Sequence, residues 1–109
     1  MSDFFQSDIV RESIEEMLEI QERIIQDTYK APTMSREEKR NHVELMRTFL
    51  EKQKNLYFRL SLSDDPEALK MKERIQDAAK FLGFDGNNVN QLFSEMENTL
   101  DRLDKIADM

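Results

Sequence analysis

An apolar pattern with helical spacing recurs from Val10 to Ile106, interrupted only by three short segments rich in turn and cap residues. Residues three and four apart share one side of an α-helix, so a chain that repeats this spacing must bring helices together to hide that side from water. Only two Gly and two Pro are present, too few to supply the turns of a β-rich fold. The expected fold class is therefore all-α: an antiparallel bundle of four helices in a single domain over 1–109, with the first two helices forming a long hairpin.

The first helix is expected from about Ser7 to Tyr29, with Val10, Ile14, Met17, Leu18, Ile24 and Ile25 on its apolar side and Gln21 holding one position of the stripe. Asp3 with Gln6 resembles a capping box and Ser7 is the competing N-cap. Pro32 is expected to end the helix by disfavouring the α region at Ala31. The second helix starts at Ser35-Arg36-Glu37-Glu38, where hydroxyl and carboxylate can satisfy free backbone N–H groups reciprocally. Its stripe of Val43, Met46, Leu50, Gln53, Tyr57 and Leu60 is widened by Leu45, Phe49 and Leu56, which suits a helix with two neighbours.

A turn over Ser61-Leu62-Ser63-Asp64 precedes the third helix, begun either by Asp65 as N-cap with Pro66 in the first turn or by Asp64 paired with Glu67. That helix carries Leu69, Met71 or Lys72, Ile75, Ala78, Ala79 and Leu82, and Gly83 is the expected left-handed closing residue. After the turn Phe84-Asp85-Gly86-Asn87-Asn88, with Asn88 and Gln91 as a further box, the fourth helix repeats Val89, Leu92, Phe93, Met96, Leu100, Leu103 and Ile106. The first two helices would each be about 35 Å long and the third nearer 25 Å. This mismatch leaves the far end of the hairpin uncovered in a monomer, and a dimer that buries it is expected.

The net charge of −7 disfavours nucleic acid as a direct ligand. Its distribution is uneven: residues 1–30 carry −5 and 84–109 carry −4, whereas 31–60 carry +3. Opposite charges can flank the apolar seams between neighbouring helices, or the second helix can present a basic docking stripe to an acidic partner. No Cys is present, which removes disulfides, thiolate metal sites and thiol catalysis. Apolar runs of two or three residues cannot span a bilayer, and Met1-Ser2-Asp3 lacks signal-peptide order, so a soluble cytoplasmic protein without membrane association is expected.

The chemistry-bearing motifs are few. The sole His, His42, has Glu38 one turn before it, but a bundle-type di-metal centre requires two Glu-x-x-His motifs and two further carboxylates. If Asp85 opened a calcium loop, Asn90 would stand where Gly belongs and Met96 where the bidentate Glu belongs. Glu15, Glu16, Glu19 and Glu22 lie across a polar helix face, and no Gly-rich phosphate loop occurs. No metal, cofactor or catalytic residue is expected, and the chain is not expected to be an enzyme.

Recognition candidates remain. Phe4 and Phe5 are adjacent aromatics ahead of the first helix, able either to staple its start and pack on the fourth helix or to dock a partner. Phe58 lies off the main stripe and, with Leu62, falls at the end of the second helix, where it is either covered by the next loop or part of an interface. Arg40, Arg47 and Lys54 would form the basic rim beside these anchors.

Three segments carry a likeness beyond pattern: Phe4-Phe5-Gln6-Ser7-Asp8-Ile9-Val10, the turn Leu60-Ser61-Leu62-Ser63-Asp64-Asp65-Pro66-Glu67-Ala68, and Met96-Glu97-Asn98-Thr99-Leu100-Asp101-Arg102-Leu103. Together they resemble a small family of unknown function found in cyanobacteria and their phages, over nearly the whole chain. The resemblance implies a compact, mostly helical cytoplasmic protein and transfers no reaction and no catalytic residue. The functional expectation is a non-catalytic helical interaction module, a small adaptor or regulator that binds another protein and forms a homodimer. The alternative is an acidic transcription regulator that contacts RNA polymerase or mimics nucleic acid through its acidic first and fourth helices.

Overall fold

The computed structural model describes residues 3–86 and 88–107, without the side chains of Asp3 and Ala107. Among these residues all regular structure is helical, in five α-helices rather than four: α1 (Asp3–Gln6), α2 (Asp8–Lys30), α3 (Arg36–Ser61), α4 (Pro66–Phe81) and α5 (Val89–Ala107). The additional element is the single turn α1. Ser7, in extended conformation, separates it from α2 and accepts the Arg11 N–H at its carbonyl. An Asp3 side-chain cap lies outside the described residues.

Local chemistry sets most of the boundaries. Ser35 Oγ accepts the Glu38 N–H at 3.2 Å while Glu38 Oε1 accepts the Ser35 N–H at 3.4 Å, a complete capping box at the start of α3. Asp65, not Asp64, caps α4, its Oδ1 accepting the Glu67 N–H at 2.9 Å ahead of Pro66. Gly83 has φ +93°, and the bonds from Gly83 N–H to Lys80 O and from Phe84 N–H to Ala79 O complete a Schellman closure.

The expected effect of Pro32 requires correction. Ala31 keeps right-handed helical dihedrals, φ −50° and ψ −43°, and the chain tightens into a 3-10 turn over Ala31–Thr33. Proline lacks the N–H that would continue the wider ladder, and its fixed φ suits the start of the tighter turn. Asn87, one of the residues expected in the turn ahead of the last helix, lies outside the described residues.

α3 is the shared element, packed against α2, α4 and α5. Lys52 and His42 of α3 meet Glu16 and Asp27 of α2, so residue numbers rise along one helix as they fall along the other. The same reversal relates α3 to α5, where Arg47 meets Asp101 and Lys54 meets Glu97. At 26 residues α3 is about 39 Å long, whereas the 16-residue α4 reaches about 24 Å. The molecule measures 47 × 30 × 18 Å, flat enough for about two helix layers.

Two apolar clusters follow. At the α1 end, Val10, Leu56, Leu60 and Ala68 are buried, with Phe4, Phe5, Ile14, Met17 and Met71 packed around them. The other joins Val43, Leu50, Ala79, Val89, Phe93 and Leu100. Ile75 of α4 packs against both. Ala68 and Ala79 are fully buried, and their small side chains let α4 approach closely.

Candidate interaction surface

The side chains expected to recognise a partner divide sharply. Phe4 and Phe5 form an edge-to-face pair with centroids 4.9 Å apart and pack against the α1-end cluster. The Phe4 N–H donates to Asp65 Oδ2 at 2.9 Å, so one carboxylate holds the starts of both α1 and α4. Phe58 and Leu62, one turn apart at the end of α3, stand 65% and 70% exposed. The structure does not bring them into one patch with the half-buried Phe4 and Phe5, although Leu62 and Phe4 share the lining of a shallow hollow.

The basic residues sit differently from an open rim. Arg47 donates to Asp101 at 2.7 Å and lies 3.6 Å from Asp104, which holds its guanidinium above its ordinary pKa, the hydrogen bond to Asp101 being the largest cause. Lys54 reaches Glu97 at 2.5 Å and Glu51 at 3.6 Å, and the hydrogen bond to Glu97 raises its pKa. Lys52 makes the equivalent reach to Glu16 on α2. These pairs flank the seams of α3, the arrangement that the basic second helix between acidic neighbours suggested. Arg40 is exposed.

The seams leave an apolar groove. α2 and α5 lie on either side of α3, and between them runs a cavity of about 490 Å³ bordered by Ile24 and Ile25 of α2, Met46 and Phe49 of α3, and Met96, Thr99 and Leu103 of α5. It continues through Met46 and Leu103 into a cavity of about 660 Å³ at the hairpin turn, lined by Ala31, Met34, Val43 and Ile106. In the other direction it shares Gln53 and Met96 with a cavity of about 440 Å³ beneath α4. α4 thus forms one wall of the channel at that end, whereas none of its residues lines the hairpin end. Apart from Val10, no residue of the 23-residue α2 is fully buried.

His42 stands at the open end. Its Nδ1 lies 3.9 Å from Asp27 Oδ2, beyond hydrogen-bond reach, and finds no other partner despite being buried. The side chain is interhelical. Among the described residues no group of three or more His, Cys, Asp or Glu is placed to hold a metal ion, and no helix is long and apolar enough to cross a membrane.

Sequence reasoning placed Leu18, Ile25, Leu103 and Ile106 in buried stripes, yet all four are exposed, Ile106 by 64%. Leu82, assigned to the stripe of the third helix, is exposed as well, and its neighbour Phe81, which entered no stripe, is 91% exposed. The signal available was stripe width. Leu18 and Ile25, seven residues apart, broaden the α2 face beyond what one neighbour can cover.

No curated protein and no solved structure matches the chain. A family described as a domain of unknown function, DUF1825, matches residues 2–106. The chain, helical over nearly all of that span, belongs to the DUF1825 family.

Proposed function

We propose that this chain is a non-catalytic helical interaction module, a small cytoplasmic adaptor or regulator that is itself homo-oligomeric. Its long helices are read as an antiparallel bundle left incomplete at the hairpin end, where a helix from another chain completes it. The observation that carries this reading is the apolar groove between α2 and α5, which runs from the hairpin turn to the side of α4. Contiguous exposed apolar surface of this kind is rare on chains that act alone. A helix laid in such a groove gains affinity from a few apolar anchors.

The test uses the tagged chain in extracts of its native host, which this reading takes to be a cyanobacterium or a cyanophage-infected cell. Proteins recovered with the wild type should be lost from an Ile25→Asp, Leu103→Asp variant and retained by Phe58→Ser, which lies outside the groove. Equal recovery by the groove variant would contradict the reading.

A further inference from the structure

α5 carries two separate faces. One, with buried Phe93 and Leu100 and with Glu97, Asp101 and Asp104 paired to α3, forms the intramolecular seam. The other runs Leu92, Met96, Thr99, Leu103, Ile106, at spacings of four, three, four and three, and lines the channel. Met96, Leu103 and Ile106 remain exposed along it.

This second face reads nearly the same in both directions. Turned about a two-fold axis near Thr99, the stripe sets Leu92 and Met96 against Ile106 and Leu103 of a second copy, with the small Thr99 at the point of closest approach. The charges obey the same symmetry. Glu95 and Arg102, seven residues apart beside the stripe, are exposed and form no ion pair with the described residues. The two-fold brings each beside its opposite, so that two pairs form at once. A parallel alignment in register would instead place this flank of the two helices on opposite sides of the seam, and neither pair could form.

We infer that the open groove is closed by α5 of a second copy of this chain, packed antiparallel on its own α5 about Thr99 and reaching toward Ile25 on the α2 lip. This rests on the interaction reading above and gives it a specific partner. The occupant is the chain itself because stripe and charges are self-complementary about one axis, the requirement of an isologous interface.

The chain has no Cys, so Thr99→Cys introduces a single thiol. Mild oxidation should link two copies through it, whereas Glu73→Cys, on the outer side of α4, should remain uncoupled. In sedimentation velocity, Glu95→Arg and Arg102→Glu alone should each weaken the dimer about tenfold, and the double exchange should restore it. A wild type that stays monomeric at high micromolar concentration, a dimer indifferent to Glu95→Arg, or a double variant no better than the singles would overturn the inference. If the chain is monomeric yet Ile25→Asp, Leu103→Asp still loses its host proteins, this inference and the homo-oligomeric part of the reading fail, and the binding of another protein through the groove survives. If neither variant set changes any association, both fail.

Discussion

The two ends of α3 carry similar apolar stripes and meet different fates. Toward its C-terminus, Leu56 and Leu60 are enclosed by α1, α2 and α4, and Leu60 is 0% exposed. Toward its N-terminus, Met46 and Phe49 floor a groove, and the facing Ile25, Leu103 and Ile106 are open to water. The difference arises from helix length and placement. α4 has 16 residues against the 26 of α3, so a fourth helix covers one end and stops short of the other. Periodicity fixes which side of a helix is apolar; the reach of its neighbours fixes whether that side is buried.

Substitutions at the two ends should separate accordingly. Leu60→Ala removes a fully enclosed side chain and should cost about 3 kcal/mol in urea unfolding. If the loss is below about 1 kcal/mol, the closed end is not packed as described. Ala79→Leu should cost about 2 kcal/mol by pushing α4 away from α3 and α5, because the position is fully buried within the cluster of Val43, Leu50, Val89 and Phe93.

Asp65→Ala leaves the starts of α1 and α4 without their shared acceptor and should cost about 1.5 kcal/mol, with far-UV circular dichroism checking that the remaining helix persists. At the open end, Ile106→Ala should change dilute monomer stability by no more than about 0.5 kcal/mol. A cost near that of Leu60→Ala would erase the contrast between the ends.

The smallest expected effect is on pH dependence. Lys54 has its folded-state pKa raised above the ordinary 10.5 by the hydrogen bond to Glu97. Its stabilisation is therefore fully present below that ordinary value and is lost as pH rises through the raised one. The difference in melting temperature between the wild type and Lys54→Met should be constant through neutral pH and shrink above about pH 10.

Much of the helical framework was legible because it is encoded locally. Ser35 with Glu38, Asp65 with Pro66, and Gly83 each act on backbone groups within a few residues, so sequence spacing identifies them directly. α2 does end ahead of Pro32, but Ala31 stays helical, because the missing N–H and fixed φ of proline permit a 3-10 turn there. The double role of Asp65 lay beyond reach, since Phe4 is 61 positions away in sequence. The candidate surface was legible only as composition. Leu103 and Leu100 belong to one apolar pattern, yet only the fold reveals that Leu100 meets α3 while Leu103 faces an open channel.

Amide hydrogen exchange, followed residue by residue at low and high protein concentration, tests the unequal ends and their closure together. Leu56–Leu60 should be strongly protected at both concentrations, whereas Ile20–Lys30 and Thr99–Ile106 should exchange quickly when dilute and slow as concentration rises. Protection that is uniform along α2 and α5 and indifferent to concentration would contradict an open groove closed by a second copy.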